Sequence, residues 1–383
     1  MPEFRQDPVI GRWVIISVER ARRPGNFIDP INRRRRDDDQ ECDLCVKPDN
    51  PVYSLGDICV VRSRQSSSRS HRSLPLGEPL AEGEEPAGQA SGQQASAPNG
   101  QNGLYEVIKD VGIHETIIET PDHVSNMADL SVGRISEIIQ TYVARFNEIE
   151  QNTRLTHALI YKNYGLSQFA HHACSHIMAM PVASLEITEK LSGAQQYFKD
   201  HKRCVYCDLI EREIKDKKRV VVETDAFLAV IPFAARFLFE TWIIPKKHHA
   251  DFAQGIRGHE EDLAKILKIV LQKIKNGLDD TAYNWVIQTA PFRRQDASSP
   301  RPEVPRGGGA FGQREPAFGE ARRESRRPIG ARGKWRTIDV DYHWHMELIP
   351  RLTRMAGFEK GSGFYICAIP PEEMAEYLRD KEI

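Results

Sequence analysis

Two stretches of the chain space their apolar side chains as a helix would. Ile135, Ile138, Ile139, Tyr142, Val143, Phe146 and Ile149 recur every three or four positions and so share one stripe of a helix. Ser131, just ahead of them, is suited to cap that helix, because its hydroxyl can accept from a first-turn backbone N–H. Leu263, Ile266, Leu267, Val270, Leu271 and Ile274 repeat the stripe further on. After each helix comes a short run rich in β-branched and aromatic residues, His157 to Tyr161 and Tyr283 to Ile287, which predicts a strand. Before each helix lies another such run, Glu115 to Thr120 and Glu240 to Ile244. Each of these ends on a proline and then a histidine, at Pro121 and His123 and at Pro245 and His248.

The order is therefore strand, proline–histidine turn, amphipathic helix, strand, and it occurs twice. Each copy closes on a histidine cluster, His171, His172 and His176 in one and His343 and His345 in the other. Each also opens on a Cys-x-x-Cys pair, Cys42/Cys45 and Cys204/Cys207. Duplication of one α+β unit accounts for this order better than chance. Two segments stand apart from the repeat. Residues from about 63 to 104 are dominated by Ser, Gly, Pro, Ala and Gln, and those from about 293 to 334 by Arg with Pro and Gly. Neither has the apolar surface to offset the entropy of ordering it, so both read as mobile insertions.

Composition adds limits. The chain has 383 residues, enough for two domains of ordinary size, with 40% hydrophobic and 28% charged side chains. A formal net charge of -1 gives no global field toward nucleic acid or an anionic membrane, and the Arg-rich insertion reads better as a solvated loop. No apolar run is long enough to span a bilayer, and the N-terminus lacks a signal-peptide core, so the cytoplasm is expected. The seven cysteines include two Cys-x-x-Cys pairs, which in a reducing compartment point to metal ligation or redox chemistry rather than structural disulfides. Cys59 and Cys367 read as small buried hydrophobes.

Zinc takes four nitrogen or sulfur ligands in a tetrahedron, and a Cys-x-x-Cys pair grips one metal from a single turn. The repeat supplies histidines at matching later places. One expected site is Cys42, Cys45, His123 and His172, and the other is Cys204, Cys207, His248 and His343. A single Cys-x-x-Cys is shared with redox motifs; two, each followed by equivalent histidines, favour metal. His114, His171 and His249 are near enough in sequence to be alternative ligands.

The opening Asp7-Pro8-Val9-Ile10-Gly11-Arg12-Trp13, the Cys42-Asp43-Leu44-Cys45 pair, Thr120-Pro121-Asp122-His123, Tyr342-His343-Trp344-His345-Met346-Glu347 and the tail from Pro350 to Glu359 resemble galactose-1-phosphate uridylyltransferases. The resemblance runs over nearly the whole chain apart from the two insertions. It implies two tandem histidine-triad-like domains, 1–195 and 196–383, each an antiparallel sheet with packed helices. It also implies a homodimer, two zinc sites (the second zinc or iron), and UMP transfer from UDP-glucose to a hexose 1-phosphate through a covalent histidine intermediate. An adenylyl-transferring relative of the ADP-sugar phosphorylase type shares the same framework.

Carried over by position, the resemblance places Arg20 and Arg23 on substrate phosphates from the partner subunit. Asn163 and Gly165 fall in a phosphate-binding loop, and Lys360 and Tyr365 at the C-terminal substrate contacts. The family's nucleophile is the second histidine of His-x-His-x-Gln. Alignment through Ile177 to Val182 puts His172 at the zinc ligand, Cys174 at the nucleophile and His176 at the glutamine. The chain departs from the pattern there. Three readings follow: catalysis by Cys174, catalysis by a displaced His176, or a zinc-stabilised protein that binds nucleotide sugars without turnover.

Overall fold

The computed structural model describes residues 3–16, 51–62, 112–122, 126–165, 172–292, 335–353 and 355–383. Both presumed insertions therefore lie outside the described residues, as do Cys42, Cys45, His123, Arg20 and Arg23.

Ten strands form one sheet. In chain order they are β3 (Tyr53–Leu55), β4 (Ile58–Arg62), β5 (Ile113–Ile118), β6 (His157–Tyr164), β7 (Cys174–Met180), β8 (Val220–Glu223), β9 (Phe227–Val230), β10 (Thr241–Pro245), β11 (Tyr283–Gln288) and β12 (His345–Pro350). Across the sheet the order is β3-β4-β5-β7-β6-β11-β12-β10-β9-β8. Read from either edge inward, the same sequence of strand roles appears, so β7 has its mate in β12 and β5 its mate in β10. The two halves join where β6 and β11 pair antiparallel, with Tyr161 opposite Val286 and Asn163 opposite Asn284. The repeat seen in the residues is thus a two-fold-like arrangement of strands, and the α+β reading holds.

Helix α1 (Val132–Glu150) begins where Ser131 accepts from the Arg134 N–H, as its sequence predicts. Helix α5 (Glu260–Gly277) buries the expected stripe from Leu263 to Ile274, with the short helices α4 (Phe252–Gly255) and α6 (Ile338–Asp341) before and after it in the chain. The two stripes meet one face of the sheet in a single continuous core that takes in Ile117, Ile160, Ile177, Ile243, Trp285, Ile287 and Met346. Cys59 and Cys367 are buried, as expected of small hydrophobes.

The other face of the second half is covered too. Helix α2 (Leu185–His201) and helix α3 (Val205–Asp216) pack Ile187, Leu191, Val205, Tyr206 and Ile210 onto Leu228, Val230, Trp242 and Ile244. A third layer joins the chain's ends. Strands β1 (Glu3–Gln6) and β2 (Trp13–Ile16) are antiparallel, and β13 (Tyr365–Cys367) pairs parallel with β2. Between β1 and β2 the chain crosses α2 at Gly193, where a Cβ would stand 1.6 Å from the Val9 carbonyl oxygen, so no side chain fits.

His157, at the start of β6, is fully buried, and burial pushes its imidazole down to about 4, with a hydrogen bond to the Thr289 backbone opposing. The folded chain keeps it neutral while the unfolded chain protonates it near its ordinary value. Its contribution to stability is therefore complete above about pH 6.5 and is lost as pH falls toward about 4, with a total on the order of 3 kcal/mol. Denaturant midpoints measured across that window should fall with pH in the parent chain and fall less steeply in His157→Asn.

Candidate active site and metal centre

Cys204 is the N-cap residue of α3 and Cys207 lies in its first turn. The helix N-terminus favours negative charge there. His248 follows β10 and His343 precedes β12, and the four donor atoms of Cys204, Cys207, His248 and His343 all lie within 4.8 Å of one another. The Cys207 Sγ is 3.4 Å from the His248 Nδ1 and 3.8 Å from the His343 Nδ1. Sulfur and nitrogen ligands of one tetrahedral zinc stand roughly 3.6 Å apart. His248 donates its other nitrogen, Nε2, to the Asp339 carbonyl oxygen at 3.1 Å, which leaves Nδ1 as the lone-pair atom facing the thiols. A hydrogen bond from Cys204, helped by His248 and His343, pulls the Cys207 thiol down to about 3, while the same bond and burial push Cys204 up. A thiol drawn down in this way gives its proton up readily, and metal binding would take the thiolate form. The donor set fits a metal.

In the first half His172 is the one member of the expected set among the described residues. It repeats the geometry of His248: its Nε2 donates to the Thr120 carbonyl oxygen at 2.7 Å. Of the alternative ligands, His249 bonds the Asp251 backbone instead, His114 lies on β5, and His171 is outside the described residues.

Two positions beyond His172, strand β7 carries Cys174, and two further on His176. The same spacing from His343 gives His345 and Glu347 on β12. The two places have opposite fates. Glu347 and His345 lie beneath α2 and α3, where Lys190 and Arg236 pair with Glu347. Burial alone would raise the Glu347 carboxyl, but those two cations hold it well below the usual range. On β7 no described helix covers the matching face, and Met178 there is 37% exposed.

His176 is half-buried at the centre of that open face. Its Nδ1 is 3.2 Å from the Thr116 Oγ1, and its Nε2 is 3.8 Å from the Cys174 Sγ. The rings of His114 and Tyr161 stack on it from either side, at centroid distances of 5.3 and 5.2 Å. Burial, with the neighbouring His114 and Lys162 adding to it, pushes the imidazole down to about 4. At neutral pH it carries a lone pair and no charge. Cys174 is only 2% exposed.

Sequence reasoning missed what lies beneath the strand. The Lys162 ammonium is buried, 2.6 Å from the Glu119 Oε2 and 2.9 Å from the Cys174 carbonyl oxygen. Tyr142 of α1 shares a 2.7 Å hydrogen bond with the Ser175 hydroxyl. No local pattern announces such a pair; a lysine and a glutamate inside β-rich runs read as the solvent side of a strand.

The remaining expected positions separate. Asn163 follows Tyr161 by two on β6 and so shares the open face with His176. Gly165 has a packing reason to be glycine: its φ is +92° and a Cβ would meet the Ala282 Cβ at 2.4 Å. Lys360 sits on α7 (Gly357–Ser362), which buries none of its residues, and Tyr365 on β13 stacks beneath Arg12, 5.5 Å from its ring.

Residues 190–300 match the family model described as galactose-1-phosphate uridyl transferase, C-terminal domain. Over the whole chain, similarity extends to ADP-glucose phosphorylase of Arabidopsis thaliana, 29% identical across 99% of this chain and 93% of that protein. It extends also to galactose-1-phosphate uridylyltransferase of Thermotoga maritima, 24% identical across 100% and 99%. The chain is a relative of the galactose-1-phosphate uridylyltransferases. Among solved structures, the Arabidopsis thaliana ADP-glucose phosphorylase with bound ADP-glucose superposes with a TM-score of 0.68 at 25% identity, covering 100% of both chains. A uridylyltransferase structure, 22% identical, shares the fold with a TM-score of 0.63 over 99% of this chain and 98% of that one. These relatives are nucleotidyltransferases or phosphorylases, and the chain is an enzyme of that broad kind. Among the described residues no helix is long and apolar enough to cross a membrane.

Two outcomes follow from this geometry. Cys207→Ser should cost the protein one equivalent of bound metal by elemental analysis and lower its unfolding temperature by on the order of 10 °C. Lys162→Met leaves the Glu119 carboxylate buried without its cation, so it should destabilise the fold by about 3–5 kcal/mol in denaturant titrations. The double variant Lys162→Met/Glu119→Leu should recover a large part of that loss.

Proposed function

We propose that the chain transfers a nucleoside monophosphate from a nucleotide sugar, by way of a covalent intermediate on His176. The observation that carries this reading is the contrast between the two mated strands. On β12 the face is filled by helices and a charge network, whereas on β7 an imidazole with a depressed pKa stands beside Cys174 on a face that no described helix covers. When Nδ1 donates to Thr116, Nε2 holds the lone pair. That nitrogen attacks the α-phosphorus, an N–P bond forms, and the bond from phosphorus to the bridging oxygen breaks as the sugar 1-phosphate leaves. A phosphate oxygen of the acceptor then attacks the same phosphorus and the N–P bond breaks, returning the imidazole to its neutral state. Cys174 is the alternative acceptor of the nucleotidyl group, and its burial weighs against it.

For the donor and acceptor, the family as a whole supports UDP-glucose and a hexose 1-phosphate, a reaction of galactose metabolism. A second reading, ADP-glucose with phosphate as acceptor, is favoured by the similarity over 99% of the chain to ADP-glucose phosphorylase. Asn163 on the open face is assigned to the substrate phosphates, and Gly165 ends the strand beside it. Arg20, Arg23, Lys360 and Tyr365 are assigned to substrate by resemblance alone, Arg20 and Arg23 reaching it from the partner in a homodimer. Zinc is the metal assigned to Cys204, Cys207, His248 and His343, with iron as its alternative, and zinc also to Cys42, Cys45, His123 and His172. These sites hold the corners from which β7 and β12 start and stay outside the chemical steps. We read the halves, 1–195 and 196–383, as two units of one cytoplasmic enzyme.

The test is a mass spectrum of the intact protein after exposure to UDP-glucose or ADP-glucose. A uridylyl or adenylyl adduct mapped to the peptide with His176, absent in His176→Ala, is the expected result, and the base on the adduct decides between the two donors. An adduct on Cys174 would move the chemistry to sulfur. Measurable nucleotide-sugar binding with no adduct and no exchange of label into glucose 1-phosphate would make the chain a binding protein.

A further inference from the structure

The resemblance places the nucleophile at position 174, and nothing in it explains how an imidazole two residues later would be held for attack. A histidine on an open sheet face has free rotation about its side-chain torsions unless its neighbours stop it. Here three strands stop it together. Thr116 on β5 is directly opposite His176 in the register and bonds its Nδ1 at 3.2 Å. Tyr161 on β6 is directly opposite on the other side, and its ring lies 28° from parallel with the imidazole. His114, diagonal on β5, closes the other side at 30°. Both faces of the ring are thus covered by aromatic planes while its edge, with Nε2, is turned toward Cys174.

We infer that His114 and Tyr161 are positioning residues that clamp the His176 imidazole between their rings while Thr116 holds its Nδ1, so that Nε2 is the reacting atom in the tautomer whose Nδ1 donates to Thr116. The inference rests on the proposed nucleotidyl transfer for its rate consequences but not for its geometry. Stacked aromatic pairs contribute attraction beyond their burial, and two of them meet at one ring here. The second-half mate of this arrangement lacks it: Trp242, not a hydroxyl residue, stands opposite Glu347 on the strand pair equivalent to β5 and β7. The clamp therefore belongs to the open face and is not a general feature of the sheet.

The groups facing the imidazole are His114 and Thr116 from β5, Tyr161 from β6 and Cys174 from its own strand, with the Lys162 ammonium behind the sheet. A clamp of this kind predicts a loss in the chemical step and not in binding. A nucleophile freed by an ångström or so loses on the order of 100-fold in rate. Tyr161→Leu and His114→Leu should each lower the single-turnover rate of adduct formation by roughly 10- to 100-fold with KM within about twofold, and Tyr161→Phe, which keeps the ring, should retain the parent rate.

The second measurement needs no turnover. In NMR spectra of histidine-labelled protein, assigned with His176→Gln, the His176 resonances should titrate near 4 in the parent and move toward the ordinary histidine value in both leucine variants, with loss of the ring-current displacement. Parent-like rate and titration in Tyr161→Leu and His114→Leu, both folded by circular dichroism, would overturn the clamp. So would a rise in KM at unchanged rate, which would make the two rings substrate contacts. If the parent forms no adduct with either nucleotide sugar yet its His176 titration responds to both substitutions, the clamp stands and the proposed reaction does not.

Discussion

The antiparallel pairing of β6 with β11 is the constraint on which the rest of the molecule depends. It fuses two copies of one strand order into a single ten-stranded sheet. Because the pairing is centred on Lys162 and Trp285, β7 and β12 each lie one strand out from the seam, with α1 and α5 side by side beneath them. A one-residue slip at this seam would turn Tyr161 and Asn163 inward and Lys162 outward, since side chains alternate along a strand. The open face and the buried ion pair would be lost at once.

Duplication gives two candidate sites, and packing decides which one remains open. In the second half α2 and α3 lie over the face that carries His345 and Glu347, and the charges there satisfy each other through Lys190 and Arg236. A carboxylate so tightly paired is a poor acceptor for a phosphoryl group and a good internal strut. In the first half the same face carries the polar and aromatic side chains of His114, Tyr161 and His176, and no described helix lies over it. The cluster of Cys204, Cys207, His248 and His343 brings α3, the end of β10 and the start of β12 to one point, so a metal held there would also fix the helix that closes the second-half face.

Much of this was legible in the residues because it is periodic or covalent in origin. The stripes of α1 and α5, the Ser131 cap and the strands after them follow from spacing alone, and Cys204, Cys207, His248 and His343 follow from the repeat. The α2 and α3 layer is not legible there, since the stripe of α2 is interrupted by Lys190 and Gly193, whose roles come from Glu347 and from the Val9 backbone, both remote in sequence. The Lys162–Glu119 pair and the stacking around His176 are likewise cross-strand facts. They exist only once β5, β6 and β7 have found their registers, and no window of sequence contains them.

The small sheet of β1, β2 and β13 has a consequence for how the chain is made. Strand β2 finds its parallel neighbour in residues far along the sequence, and the segment crossing Gly193 needs α2 in the same way. Contacts between such remote parts of a sequence form slowly, because the intervening chain must be closed into a loop before they give any return. Until β13 is in place, the edge of β2 that it covers has no partner in the small sheet. Strand β13 is thus the latch on β2.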